Sequence, residues 1–323
     1  MKTIPISLLM IVASLLAAAI PAWAQQYPTR AVRLIVPFPP GGGTDTMARA
    51  IAPKLSELLG QQVVPENRGG AGANIGAEVA AKAAPDGYTL MLATITNAIG
   101  ATLYTKLNYD LVRDFAPITR LATTPHILVV HPSVPVKTVK EFTAFARARP
   151  GELTYSSSGA GSAAHLAGEL FSSLTNVKMV HVPYKGGGPS MIALVGGEVS
   201  VCFATMPSAV GYVRSGRLRG IAVTTDKRSP SMPELPTIAE TGVAGYEAGS
   251  WYGLSAPAGT SKEIIARLHA ETMKVMALPD VKERLFNAGF EVVTSSPEQF
   301  AAFTRSEIQK WGKLVKATGL KAD

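Results

Sequence analysis

The sequence predicts an α/β protein of two domains built on one plan. Strand-like apolar runs recur along the chain, each ends in a loop of glycine, serine or proline, and each loop opens a helix-like stripe. In such sheets the loops after the strands gather on one edge, which is where a ligand is expected. The 323 residues suffice for two ordinary domains with substantial cores.

The chain opens with Met1-Lys2, an apolar run through Ile20 and the A-x-A pattern Ala22-Trp23-Ala24. This reads as a secretory signal peptide over residues 1–24, cleaved after Ala24, so the mature protein is expected outside the cytoplasm. Val32 to Val36 then reads as a strand, followed by Pro37-Phe38-Pro39-Pro40-Gly41-Gly42-Gly43 and a helix in which Thr44 or Asp45 can cap free backbone N–H groups. Met47, Ile51, Leu55 and Leu58 or Leu59 give that helix its apolar stripe, and Gly60 ends it. Three glycines before a helix N-terminus suit an anion, because the backbone can approach it closely and the unpaired N–H groups face it. A nucleotide P-loop is excluded, since Thr44-Asp45 follow Gly43 in place of Lys and Ser or Thr; a dinucleotide fingerprint fails because Thr46 replaces its third glycine. Taken singly, the run could also be no more than a strand-to-helix turn.

Val63-Val64 reads as a short strand, Glu66 to Asn74 as a second glycine-rich loop, and the residues to about Ala83 as an Ala-rich helix. Tyr88 to Ala93 is a strand ending in a polar loop, Thr94-Ile95-Thr96-Asn97, and a less regular section follows. Ile127 to Val130 is apolar, and Thr138 with Glu141 forms a capping box for a helix stopped by Pro150-Gly151. Strands at Leu153 to Tyr155, Lys178 to Val182, Val199 to Phe203 and Leu218 to Thr225 alternate with small-residue loops and helices at Ala163 to Phe171 and up to Val195. Gly249 to Pro257 is a further strand, and two helices close the chain, from a Thr260/Glu263 box and from a Ser296/Gln299 box.

Composition narrows the function. The formal charge of +8 is spread without a basic run or interleaved aromatics, which argues against nucleic acid. Cys202 is the only cysteine and sits in an apolar strand, so it reads as a buried inert thiol. The five histidines, 126, 131, 165, 181 and 269, have no metal-ligand spacing, and neither G-x-S-x-G nor S-x-x-K occurs. A dispersed catalytic set, for instance Ser162 with a distant base, remains the enzymatic alternative. Lys185 reads equally as a guide for an anion or a solvated loop lysine, Asp45 as a helix cap, and Trp251 and Tyr252 as hinge packing or cleft lining.

With VRLIVPFPPGGGTD, NRGGAGANIG, APDGYTLMLAT, YSSSGAGSAAHLAGELF, VPYKGGGPSMIALVGGEV and SWYGLSAPAGT in this order, the chain resembles the Bug family, the periplasmic solute receptors of tripartite tricarboxylate transporters. The resemblance covers essentially the whole mature chain. It implies a two-lobed type II periplasmic-binding-protein fold, with residues 25–124 and 250–323 in the first lobe and 125–249 in the second. It also implies a monomeric, non-enzymatic receptor, without metal or cofactor, that passes a small carboxylate to integral membrane permease subunits; a receptor reporting to a signalling partner would use the same fold. The ligand contacts it implies are Phe38, Pro40, Gly41, Gly42, Gly43, Thr44 and Asp45, with Thr96 and Asn97, from one lobe. Ser157, Ser158, Gly161 and Ser162 would come from the other. Similar proteins with amino-acid ligands carry Asp at the position matched by Ala204, which cannot pair with an ammonium; an amine-free mono- or dicarboxylate, aliphatic or aromatic, is therefore expected.

Overall fold

The computed structural model describes residues 27–318; the expected signal peptide lies outside the described residues. β1 (Val32–Val36) leads to α1 (Gly43–Leu59), β2 (Val63–Asn67), α2 (Asn74–Ala81), β3 (Thr89–Thr94), α3 (Ile95–Leu103) and the long β4 (Phe115–Val130). There follow α4 (Val139–Arg147), β5 (Thr154–Ser157), α5 (Ala163–Thr175), β6 (Val180–Pro183), α6 (Gly187–Val195), β7 (Val201–Thr205), α7 (Met206–Arg214) and β8 (Arg219–Val223). The chain ends with β9 (Gly249–Pro257), α8 (Lys262–Ala277), α9 (Pro279–Asn287), β10 (Glu291–Val292) and α10 (Pro297–Thr318).

β2, β1 and β3 run parallel, and β9 joins β3 antiparallel. β4 is long because it serves two sheets. Its pairing with β9 covers Phe115 to Pro125, and from His126 onward it pairs with β7 on one side and, from Ile127, with β8 on the other. β7, β5 and β6 then continue the second sheet in parallel. The chain returns from β8 to the first sheet at Gly249, which lies opposite Pro125.

Both sheets are covered on both faces, so β3 and β7 are buried along nearly their whole length rather than alternating. On one face of the first sheet Leu34, Leu90 and Leu254 pack with α1 and α8; on the other Ile35, Met91 and Trp251 pack with α2, α3 and α10. In the second sheet Leu128, Val201 and Phe203 face α4 and α5, while Ile127, Cys202 and Ala204 face α6 and α7. Cys202 is a free, buried thiol whose pKa burial pushes up, as its apolar setting implies.

Several local expectations need correction. The N-cap of α1 is Gly42, with no side-chain cap, because Asp45 reaches back to the loop instead. Thr94 to Asn97 is not a loop: Thr94 caps α3 and Asn97 completes its capping box. A further helix, α9, starts on Pro279, so three helices follow β9 rather than two. The box expected at Thr260/Glu263 sits one residue later: Ser261 accepts from the Ile264 amide, and Thr260 donates to the Pro257 carbonyl. The Ser296/Gln299 box forms as expected.

Candidate functional site

Between the two sheets lies a cavity of about 40 Å³ onto which five helices open. From the first sheet come Gly42, Gly43 and Thr44 at the start of α1 and Thr94, Ile95 and Thr96 at the start of α3. From the second come Ala163 and Ala164 of α5, Gly187 of α6, and Thr205 and Ser208 of α7. Phe38, Ser158, Ser250 and Tyr252 complete the wall. Each helix brings unpaired backbone N–H groups and the positive end of its dipole, and no charged side chain lines the space. An anion is the ligand such a wall can solvate.

Two glycine loops approach each other closely across this cavity. A Cβ on Gly188 would collide with the Pro40 carbonyl, and one on Gly186 would lie 2.6 Å from Pro39 Cδ. On the far side the Tyr104 hydroxyl donates to the Ala160 carbonyl at 3.3 Å. A groove of about 400 Å³ adjoins the cavity, lined by Gly70 to Ala73, Ser158 to Ala160 and Pro183 to Lys185. Phe38 and Ser158 belong to both spaces and form the partition between them. Lys185 is exposed at this groove, not at the cavity.

Of the residues expected to meet a ligand, Phe38, Gly42, Gly43, Thr44, Thr96 and Ser158 line the cavity. The others stand behind it, and their contacts say why. Asp45 accepts from the Gly41 amide at 3.1 Å, from Arg49 Nε at 3.0 Å and from Asn67 Nδ2 at 3.1 Å, while Asn67 also donates to the Phe38 carbonyl at 2.9 Å. Burial pushes the Asp45 pKa up, but the combined bonds from Arg49, Gly41 and Asn67 outweigh it and hold the carboxyl below its ordinary value. The role of Asp45 is to brace the 38–43 loop. Pro40 and Gly41 belong to that braced segment, outside the cavity wall.

Asn97 is fully buried, accepting from the Thr94 amide at 3.0 Å and reaching Tyr109, whose hydroxyl donates to Asn74 Oδ1 at 2.8 Å. Ser157 faces inward as well. Its hydroxyl lies 2.7 Å from His181 Nε2 and accepts from the Gly159 amide at 3.1 Å. Ser162 caps α5 by accepting from the His165 amide, and the Gly161 amide donates to His165 Nδ1 at 3.1 Å. The rings of His165 and His181 stack 3.9 Å apart, and burial pushes both pKa values down, that of His181 to about 3. Ala204 packs among Ile127, Met206 and Val223, so the argument from Ala204 against an amine finds no support in its position; its neighbour Thr205 is the wall residue.

Sequence reasoning missed Thr94, Ile95, Ala163, Ala164, Gly187, Thr205, Ser208 and Ser250 as wall residues, and left Tyr252 open between hinge packing and cleft lining. Helix starts were the available signal, and that of α3 is hidden because 94–97 reads as a polar loop. Trp251 turns away from the cavity to pack on Phe300 and Phe303 and donates its indole N–H to Glu307. Tyr252, one residue on, faces the opposite side of β9 and lines the cavity; burial raises its pKa, with a partly offsetting hydrogen bond to Thr205, so it stays a neutral hydroxyl. No helix among the described residues is long and apolar enough to cross a membrane, and no cluster there has metal-binding composition.

The fold is the mixed α/β fold of the periplasmic binding proteins. The solved periplasmic binding protein BugD matches with a TM-score of 0.89 and 33% identity, covering 91% of this chain and 99% of its own. The R. palustris protein Rpa4515, solved with adipate, matches at 40% identity with a TM-score of 0.88 over 91% of this chain and 99% of its own. MatC from Rhodopseudomonas palustris, solved with bound malate, matches at 33% identity with a TM-score of 0.85 over 90% of this chain and 100% of its own. The model of the tripartite tricarboxylate transporter family receptors matches residues 47–320. A cleft built from helix starts and a match of this extent have one conclusion: the chain belongs to the tripartite tricarboxylate transporter family of receptors, the Bug-type binding proteins, and is a receptor rather than an enzyme.

Proposed function

We propose that the protein is an extracytoplasmic receptor for a small mono- or dicarboxylate without an amine, aliphatic or aromatic, which it hands to the membrane permease subunits of a tripartite tricarboxylate-type transporter. The observation that carries the reading is the convergence of five helix N-termini on a cavity with no charged side chain. Oriented amides hold a carboxylate in a desolvated cleft through charge-assisted hydrogen bonds. An ammonium would find no carboxylate partner in that wall, and burying it unpaired is costly. With one carboxylate in the cavity, the remainder of the ligand passes Phe38 and Ser158 into the outer groove, toward Lys185. The relatives solved with adipate and malate are consistent with a dicarboxylate. In this reading residues 25–124 with 250–323 form one lobe and 125–249 the other, the mature protein is monomeric and begins after Ala24, and the lobes close on the ligand by bending at β4 and the entry to β9.

Thermal unfolding of the mature protein against aliphatic dicarboxylates, aromatic carboxylates, citrate-like acids and amino acids tests this. A ligand at about a hundred times its Kd adds roughly 2.7 kcal/mol, a shift on the order of several degrees. A shift with an amine-free carboxylate is expected. A shift with amino acids alone removes the amine-free clause, and none with any acid removes the reading.

A further inference from the structure

At the point where β4 leaves one sheet for the other, His126 is fully buried, with both ring nitrogens engaged. Nδ1 lies 3.1 Å from the Phe203 carbonyl oxygen and Nε2 lies 2.8 Å from Ser250 Oγ. A carbonyl oxygen can only accept, so Nδ1 carries the proton. Burial pushes the His126 pKa down to about 4, so near neutral pH the ring has one N–H and Nε2 is a bare lone pair. Ser250 must then donate its single hydroxyl proton to Nε2. Ser250 and Tyr252 lie two apart on β9 and both line the cavity. What Ser250 offers there is lone pairs.

We propose that His126 fixes Ser250 as a hydrogen-bond acceptor at the hinge end of the cavity, so that the preferred ligand is a hydroxycarboxylate whose hydroxyl donates to Ser250 Oγ. This rests on the carboxylate reading and deepens it. The amides of the helix starts supply donors for the carboxylate, whereas a carboxylate oxygen facing Ser250 would meet lone pairs. An alcohol beside the carboxylate satisfies both parts of the wall. A ligand ammonium could donate to Ser250 too, but it would bring a charge that nothing in the wall neutralises. Ser250 is thus a specificity residue and His126 a positioning residue that never meets the ligand.

Matched acids differing by one hydroxyl test the assignment: succinate against malate, glutarate against 2-hydroxyglutarate, propionate against lactate and phenylacetate against mandelate, each titrated calorimetrically into the mature protein. In at least one pair the hydroxy acid is expected to bind roughly three- to tenfold more tightly, the range of a single neutral hydrogen bond. Ser250→Ala should bring that ratio to near one, and Ser250→Thr, which keeps a hydroxyl, should retain most of it. His126→Gln should also lower it. The ratio cancels any general weakening from a damaged hinge, which would affect both acids of a pair alike. If carboxylates bind but no pair shows a hydroxyl preference, or if Ser250→Ala keeps the preference, this assignment is wrong and the carboxylate reading stands. If no acid of the set binds, both are wrong.

Discussion

The two lobes offer the cavity the same thing, a helix start presented by a small-residue loop, but they brace those loops by different chemistry. In the first lobe the bracing is ionic: Asp45 ties the Gly41 amide to Arg49 and Asn67 behind the 38–43 segment. In the second it is neutral: Ser157, Ser162, His165 and His181 tie the amides of Gly159, Gly161 and His165 behind the 157–162 segment. The difference teaches what both have in common. Neither lobe turns a charge toward the cavity, and in both the conspicuous polar side chains hold the backbone while the backbone faces the ligand. Preorganised amides require that arrangement, because a loop free to reorient would surrender the alignment of its dipoles.

The largest effect should come where the two designs meet. Gly43 stands at the start of α1, and a Cβ there would collide with the Tyr252 hydroxyl and approach Thr205 Oγ1 to 3.2 Å. Gly43→Val places a branched side chain between the lobes, and carboxylate affinity is expected to fall by on the order of 100-fold or more, equivalent to about 3 kcal/mol of overpacking. Gly211→Ala in α7 is the control, since a Cβ there meets nothing within 4 Å; affinity should stay within about twofold and helix propensity gains slightly. Unchanged affinity in Gly43→Val would move the anion site elsewhere.

Acid should separate the lobes. His126, His165 and His181 all have pKa values pushed down by burial, and all belong to the second lobe or its border with the first. An unfolded histidine takes up a proton near its ordinary value of 6.5, while His126 in the fold resists until about 4. The unfolded state therefore binds more protons between these values, and stability falls as pH drops through that window, by up to roughly 3 kcal/mol for His126 alone. Asp45 has the opposite linkage: its carboxyl is held below the ordinary 3.8, so its contribution is complete above that value and is lost only on further acidification. Hydrogen exchange at stepwise lower pH should show amides of β5 and α5 losing protection before those of β1 and α1. Simultaneous loss would mean that the histidine network does not set the stability of its lobe.

How legible this was from sequence follows the same division between backbone and side chain. The fold was legible because apolar periodicity reports strands and helices directly: Met47, Ile51 and Leu55 gave α1, and the doubly covered strands gave unbroken apolar runs. Helix starts were less so. Thr94-Ile95-Thr96-Asn97 looks polar and loop-like, yet the Thr94/Asn97 box is a cap that lacks the usual Glu or Gln. At the site, glycine runs locate the loops, while Ser157, Ser162, Asn97 and Asp45, expected as ligand contacts, are engaged with other residues of the protein. Sequence spacing gives proximity and is silent on which way a side chain points. Ser250 was invisible and Tyr252 undecided for another reason, since their place depends on β9 pairing with β4 across a large gap in sequence.

A smaller effect is expected from removing the braces one at a time. Asp45→Ala leaves the Gly41 amide and Asn67 Nδ2 without that acceptor, which should cost on the order of 2 kcal/mol in denaturant unfolding. Ser157→Ala removes a neutral partner from the Gly159 amide and His181, and about 1 kcal/mol is expected. Each should weaken carboxylate binding as well, since a loosened loop must be ordered again when the ligand enters. If the two losses are equal, or reversed, the ionic brace is no stronger than the neutral one.

The smallest effect should be the most informative about charge. Arg49 bonds both oxygens of Asp45, but its side chain is 53% exposed, while that of Asp45 is only 7% exposed. An ion pair with one partner so open to water contributes at most about 1 kcal/mol, and Asp45 would keep its bonds to Gly41 and Asn67. Arg49→Gln is therefore expected to lower stability by roughly half a kcal/mol and to leave carboxylate affinity within about twofold at moderate salt. The rival account is that Arg49 acts on the ligand itself, as a positive charge behind the helix start. That account requires a clear loss of affinity, larger at low ionic strength, because the field of an exposed guanidinium is screened by salt while oriented amides at contact distance are not. Titrating Arg49→Gln at two salt concentrations separates them: a salt-dependent loss would make the first lobe an electrostatic site, and a flat result leaves both lobes acting through the backbone alone.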